Sequence, residues 1–488
     1  MNFNVATHIK VALDVTASVE LREQPTPAVL SEWFSVALLV FSASALWAQT
    51  SEPQASELDQ TISAALTTTG APSASVAVAR GGQIAYAKAF GKANIEKDRT
   101  ADAQTRYAVG SISKQFTVAA LLLAQEKGKV SLDDNVSKYY PDLTRANEIT
   151  IRELLSHTSG YEDYAPQDYM IPEWTKPTDA GAILNHWAKK PLNFDPGTRW
   201  QYSNTNYVLA GKIFEKATGQ PLVPFLRERI FQPLGMTSAS DCEEHTPEDA
   251  TAYTRYALGP PRPVAREASG WYFAAGELCM TASDLARWDV AFLQKRILSP
   301  KSYDEFTRET KLKDGKPTHY ALGLAVGDLH GTPMISHSGE VSGFLAIDRV
   351  FPAKDVGVIV LSNEDGVNLI GPLSQDIALL IIEPHPASSA KDDREVRTIL
   401  EGLQRGHIDR AAFTANANSY FNDLALNDYE KSLAPLGKLQ VLTRQSEQQR
   451  GGMTHLSYRA QFERKAVVLN IYRTADGKFE QFLVEEQL

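Results

Sequence analysis

The sequence predicts an α/β (α+β) fold: an antiparallel sheet flanked by helices, with a helical lobe, followed by a small C-terminal α+β domain. Three observations predict it. A hairpin signal near residue 81 and four closely spaced strand-like segments beyond residue 320 bracket a helix-rich stretch. The text "EPHPASSAKDD" (383–393) is polar and proline-bearing, as linkers are. Helical text then gives way to three alternating strands, the last two joined by Asp476-Gly477. A length of 488 residues also exceeds one core and implies two or three units.

The elements follow in order. "WFSVALLVFSASALWAQT" (33–50) is an uncharged apolar core ending in small residues, as a secretory signal is. It falls short of the roughly 20 apolar residues of a membrane span. A long unpatterned segment precedes it, which places the expected start near Val29 or Leu30. Residues 1–48 are therefore read as a leader with a signal near 30–48, and the mature chain as secreted or periplasmic without an integral span. "SASVAVARGGQIAYAKAFG" (73–91) alternates around Gly81-Gly82 as a β-hairpin. Thr150 and Glu153 have capping-box spacing, as do Thr281 and Asp284, and Gly219 stands where a helix C-cap would. "ALGLAVGD", "PMISHSG", "GFLAIDRVF" and "VGVIVLSN" read as antiparallel strands, and "LIGPLSQDIALLII" as a helix covering them. The expected domains are 49–385, a linker at 386–392, and 393–488.

Composition excludes more than it selects. A net charge of −10 argues against nucleic acid and against an anionic membrane surface. Cys242 and Cys279 either form one disulfide or lie as separate buried thiols; both readings stay open. "CEEHTPED" lacks zinc spacing, and neither a G-x-S-x-G elbow nor a glycine-rich phosphate loop occurs. No cofactor is expected.

The chemistry gathers around "RYAVGSISKQF" (106–116), where Ser111 and Lys114 stand three residues apart at the mouth of an apolar helix. Three apart is one face, so the amine reaches the hydroxyl. Burial and the electropositive helix end push a lysine pKa down toward that of a useful base. Serine needs such a partner to attack near neutral pH, and its first-turn N–H can bind an oxyanion. Taken alone, a capping serine and a solvated lysine are the better reading. Two further stretches change that: "QYSN" (201–204), with Tyr202 and Asn204, and "HSG" (337–339), with His337, Ser338 and Gly339.

Together S-x-x-K, Y-x-N and H-x-G resemble the penicillin-recognising serine hydrolases, on the branch of class C β-lactamases, D-alanyl-D-alanine carboxypeptidases, D-aminopeptidases and family VIII-type esterases. The resemblance covers roughly residues 57–383 and includes "HTSG", "ELCMTASDLARW" and "VLSN". It implies a β-lactamase/transpeptidase-like fold and a covalent acyl-enzyme. By resemblance Ser111 is the nucleophile, Lys114 its base, and Tyr202 a proton shuttle whose pKa a nearby lysine lowers. Asn204 binds the substrate's acyl amide, His337, Ser338 and Gly339 form a substrate-binding strand, and the backbone N–H groups of Ser111 and Glu340 form the oxyanion hole. Histidine at 337, where many β-lactamases carry lysine, and the carboxylate of Glu340 both argue against anionic substrates. The expected partner is a small-molecule or peptide acyl substrate: an ester, a D-amino-acid amide or peptide, or a β-lactam. The alternative is a penicillin-binding sensor or scaffold with little turnover. Tyr161, Tyr164, Tyr169, Trp174 and Trp187 either line a cleft or pack a lobe, and His157 orders a loop. The C-terminal domain is expected to pack or self-associate.

Overall fold

Each strand pair of the main sheet follows from an alternating or wholly apolar run. Ser73–Arg80 (β1) turns through Gly81 and Gly82, both at positive φ, into Gln83–Asn94 (β2). That pair of left-handed residues is what a two-residue hairpin twisted like its strands requires. Arg99–Thr100 (β3) extends the edge. Tyr107–Ala108 (β4), Ser240–Asp241 (β5) and Leu278–Met280 (β8) form a small patch, while Tyr253–Thr254 (β6) pairs with Arg262–Pro263 (β7). Ala325–Leu329 (β9), Thr332–Val341 (β10), Phe344–Phe351 (β11) and Val356–Ser362 (β12) complete a seven-stranded sheet in the order β3-β2-β1-β12-β11-β10-β9. Every neighbouring pair in it is antiparallel. The computed structural model describes residues 52–167, 169–382 and 390–486. The leader and signal lie outside the described residues, as do linker residues 386–389.

Helices cover both faces of the sheet. Glu52–Thr69 (α1) precedes β1, and Ser113–Glu126 (α2) is the helix that "SKQFTVAALLLAQE" forms. Phe116, Val118, Leu121 and Leu122 of α2 are fully buried, each contributing about 1.5–3 kcal/mol by leaving water. The helix opens differently from expectation: Gly110–Ile112 is a 3-10 turn, so Ser111 precedes the α-helix proper. Ile151–Leu155 (α3) starts with the expected capping box of Thr150 and Glu153. Ala180–Trp187 (α4) and Asn204–Thr218 (α5) build the lobe, and Gly219 ends α5 at φ 73°. Ala282–Leu293 (α6) lies against β1 and β12; Thr281 caps it, but the Asp284 carboxylate accepts from the Ser238 N–H at 2.7 Å rather than closing a box. Ile370–Ile382 (α7) covers β11 and β12. Cys242 and Cys279 are joined in a disulfide that ties the loop after β5 to β8.

Beyond residue 390 the chain adds Ala390–Leu403 (α8) and Asp423–Leu433 (α9) to an antiparallel sheet of Leu439–Arg450 (β13), Met453–Phe462 (β14), Ala466–Arg473 (β15) and Phe479–Glu486 (β16). Two details depart from expectation. α8 starts at Ala390, inside the stretch read as linker. β13, "LQVLTRQSEQQR", carries no strand-like apolar alternation, because it is an edge strand whose order comes from pairing with β14. Among the described residues no helix is long and apolar enough to cross a membrane.

Candidate active site

The polar side of α2 answers why hydroxyls and an amine open an apolar helix: all of them are buried and all have partners. The Leu278 N–H donates to Ser113 Oγ at 3.1 Å, and Thr117 donates to the Ala274 carbonyl at 2.8 Å. Gln115 donates to Asp348 at 2.9 Å and accepts from the Trp288 indole at 2.9 Å. Lys114, at 0 % exposure, is no solvated first-turn lysine. Its Nζ lies 2.8 Å from Ser111 Oγ, 2.8 Å from Asn204 Oδ1 and 2.7 Å from the Ala275 carbonyl oxygen. Burial pushes its pKa down to about 7, with the charge of Asp163 resisting the fall.

Tyr202 approaches from the other side. Its Oη donates to Ser111 Oγ at 2.8 Å, so the serine oxygen sits between an amine and a phenol. The expectation that lysine lowers the Tyr202 pKa fails: burial dominates and raises it, outweighing the hydrogen bond with Ser111. Tyr202 therefore rests as a neutral donor. His157 sets its place, stacking on the Tyr202 ring at 4.3 Å between centroids and accepting from the Ser203 N–H at Nδ1 over 3.1 Å. Burial keeps His157 neutral, so it does more than order a loop.

The third motif lies on β10. A Cβ on Gly339 would overlap the Val109 carbonyl and lie 3.2 Å from the Ser111 amide nitrogen. Gly110, at φ 49°, faces back, and a Cβ there would meet the Glu340 nitrogen at 2.7 Å. Only glycines let the Gly110–Ile112 turn and β10 approach this closely, and that approach brings the Ser111 and Glu340 backbone nitrogens to one seam. His337 is buried, with Nε2 2.8 Å from Tyr320 Oη and Nδ1 2.5 Å from the Ser338 carbonyl. Burial, then the charge of Lys114, drops its pKa to about 3. Burial thus holds it as a neutral group. Ser338 and Glu340 point outward on the exposed positions of the strand.

These groups line a cleft of about 500 Å³. Tyr164, Tyr169 and Trp174 stand in its wall, which settles that part of the aromatic crowd. Tyr161 instead donates to the Thr144 carbonyl at 3.0 Å, and Trp187 packs edge-on against Tyr164 and Trp271. Asn204 lines the cleft as well, with its Oδ1 2.8 Å from Lys114 Nζ and its Nδ2 3.2 and 3.3 Å from the two Asp163 oxygens. Sequence reasoning missed three contributors. Asp163 follows "HTSG" as an ordinary loop acid, the Ala275 carbonyl has no sequence signature, and Tyr320 lies outside every motif. Glu267 and Asp365 add carboxylates to the cleft wall beside Glu340. Among the described residues no three His, Cys, Asp or Glu side chains group to hold a metal ion.

A serine flanked by a buried lysine and a tyrosine, between a helical lobe and an antiparallel sheet, defines the penicillin-recognising serine hydrolases as a class. Residues 58–374 match the Beta-lactamase family model, and the chain belongs to that family. It is 28% identical over 306 residues to "Putative penicillin-binding protein PbpX" of Bacillus subtilis (strain 168), covering 62% of this chain and 74% of that protein. The fold is similar to a D-stereospecific amidohydrolase from Streptomyces sp., at 27% identity and TM-score 0.58 over 67% of this chain and 98% of that one. It is also similar to an octameric penicillin-binding protein homologue from Pyrococcus abyssi, at 20% identity and TM-score 0.60 over 88% and 99%.

Proposed function

We propose that this protein is an exported serine acyl hydrolase that acts through a Ser111 acyl-enzyme on D-amino-acid amides or peptides and on short esters, in preference to β-lactams. The observation that carries the reading is the pair of contacts on Ser111 Oγ, with Lys114 Nζ and with Tyr202 Oη, each at 2.8 Å.

The geometry supports a balanced proton path. A neutral Lys114 amine keeps two N–H groups, which suit Asn204 Oδ1 and the Ala275 carbonyl, and its lone pair then faces Ser111. Lys114 takes the serine proton as Oγ bonds to the acyl carbon. The Ser111 and Glu340 N–H groups receive the oxyanion. As the acyl bond to the leaving group breaks, Tyr202 gives its proton to the departing nitrogen or oxygen and is reprotonated from Lys114. Water then attacks the ester, passing a proton back along the same path, and frees the acid and Ser111.

Substrate preference rests on charge. The H-x-G position offers no cation, while Glu267, Glu340 and Asp365 line the wall. A carboxylate-bearing lactam gains nothing there, and like charges a few ångströms apart in a cleft cost several kcal/mol at most. The likeness to a D-stereospecific amidohydrolase supports the same choice. Export is supported by the signal-like segment and by the Cys242–Cys279 disulfide, which persists in oxidising compartments. The region beyond residue 390 is proposed to self-associate through a surface that includes exposed Tyr420 and Leu424.

The deciding measurement compares kcat/KM for a D-alanine p-nitroanilide, its L isomer, a p-nitrophenyl ester and a chromogenic cephalosporin at pH 7. Faster turnover of the D-amide and ester supports the reading. A cephalosporin turned over far faster than either returns the protein to the β-lactamases. A stable penicillin adduct with no turnover of any substrate makes it a sensor.

A further inference from the structure

We propose that Asp163 is a positioning residue for the proton transfer: its carboxylate locks the Asn204 amide in the one orientation that leaves the Lys114 lone pair to Ser111. The inference rests on the serine-hydrolase reading of this cleft and adds a residue outside the three motifs.

The lock is geometric. Asp163 Oδ1 accepts from the Asn204 backbone N–H at 2.9 Å and from the Ala165 N–H at 3.1 Å. Its two oxygens lie 3.2 and 3.3 Å from Asn204 Nδ2. An ionised carboxylate only accepts, so the end of Asn204 that faces it has to be the NH2 group. The oxygen end is thereby turned to Lys114, 2.8 Å away. The Ala275 carbonyl, 2.7 Å from the same amine, is likewise an acceptor only. Two acceptors claim the two hydrogens of a neutral amine, and the remaining direction is Ser111 Oγ. With the amide reversed, Asn204 Nδ2 would donate into the lone pair and the base would be spent before the substrate arrived.

The same carboxylate sets the charge that Lys114 feels. Around the amine stand Ser111, Asn204, the Ala275 carbonyl, His157 and His337, with the Tyr202 and Tyr207 rings at 4.9 and 5.3 Å. Both imidazoles are held neutral by burial, and both phenols are held protonated by it. Burial raises the Asp163 pKa, while the Asn204 and Ala165 N–H groups and the charge of Lys114 favour its ionised form; the attraction of that carboxylate resists the loss of the lysine proton. Removing that charge lowers the Lys114 pKa further, a change that a merely structural aspartate would not produce.

The test uses Asp163→Asn, which removes the charge, Asp163→Ala, which removes the acceptor, and Asn204→Ala, alone and combined with Asp163→Ala. Two readouts are followed against pH: the rate of Ser111 labelling by a fluorophosphonate probe, and the NMR titration of Lys114 in 13C-lysine-labelled protein, assigned with Lys114→Arg. In Asp163→Asn the Lys114 titration and the acid limb of labelling both move to lower pH. Asp163→Ala slows labelling at the pH plateau by about tenfold or more. In the Asn204→Ala background the same change costs less than about twofold, because no amide is left to hold. An unchanged Lys114 titration in Asp163→Asn, or an undiminished penalty in the Asn204→Ala background, overturns the proposal. Should Asp163→Ala fail to fold, the Asp163→Asn titration decides. A wild-type protein whose Ser111 takes no probe sinks the hydrolase reading instead, and the titration still judges Asp163.

Discussion

The catalytic region and the region beyond residue 390 are both sheets backed by helices, yet their interiors differ in kind. Up to residue 382 the core holds Ser113, Lys114, Gln115, Thr117, His157, Asn206, Glu277, Asp289, His337 and Asp348. Beyond residue 390, Arg444 and Gln461 are the buried polar or charged side chains among the described residues, set in a cluster that includes Leu400, Phe421, Leu456, Phe462 and Leu469. Arg444 bonds Tyr458 at 2.9 Å and Glu447 at 2.6 Å, and Gln461 the neighbouring Phe462 carbonyl at 2.7 Å, so each has a partner close by. Burying a polar group costs free energy unless it is paired, and burying an amine costs more. The catalytic region carries that cost where the chemistry requires it. The terminal region is built for packing.

The contrast breaks most sharply at the nucleophile. Ser111→Ala should abolish turnover and probe labelling while leaving the thermal midpoint near wild type, because the side chain adds little to the core. Near-normal hydrolysis in that variant would end the mechanism above. Lys114→Ala and Tyr202→Phe should each cost about 10²–10⁴-fold in kcat/KM, the usual range for a lost proton-transfer group.

The buried lysine also fixes a pH limb. Lys114 has to be neutral to accept the Ser111 proton, and burial holds its pKa at about 7. Activity should therefore fall as pH drops through about 7, and kcat/KM measured from pH 5 to 9 checks the sign. A profile flat down to pH 5 would mean that Lys114 is not the base.

A second buried pair tests stability rather than rate. Asp289 and Asp348 are fully buried, and burial raises the pKa of both, with the two carboxyls facing one another. A carboxyl with a raised folded pKa stabilises fully below its unfolded pKa near 4, and that contribution is lost as pH rises through the folded value. Each unit of elevation corresponds to about 1.4 kcal/mol. Asp289→Asn should flatten the dependence of the urea midpoint on pH between about 4 and 8. An unaltered slope would place the titration elsewhere.

The smallest effect sharpens the comparison from the other side. Ending the chain at residue 383 removes α8 through β16 but leaves the seven-stranded sheet, α7 and every cleft residue in place. Ester turnover by the truncated protein should stay within about threefold of wild type, since the cleft residues all precede residue 383 and the cut removes contacts such as the Arg459–Asp376 ion pair at 4.0 Å, away from the cleft lining. A truncated chain that fails to fold would show the terminal region to be part of the catalytic unit.

Local patterns decided more here than non-local pairing did. The Gly81-Gly82 hairpin, the Thr150 capping box, the Gly219 cap and the strands from residue 325 to 362 were legible because turn chemistry and alternation act within a few residues. Ser111, Lys114, Tyr202 and the H-x-G strand were legible as motifs, since reactive groups have to keep fixed neighbours along the chain. β13 was not, because pairing with β14 rather than side-chain pattern makes it a strand. Nor could the sequence show that Asn204 turns its amide to Asp163 and Lys114, that the Ala275 carbonyl completes the lysine site, or that burial fixes His337 neutral and Tyr202 protonated. Those facts depend on desolvation and on distant partners, such as Asp163 with Asn204, 41 residues apart, and the Ala275 carbonyl with Lys114, 161 apart. By itself the sequence determined which reactive groups the chain carries; the tertiary structure decided their protonation and orientation, because electrostatic energies in a protein are set by burial and by neighbours that only folding brings together.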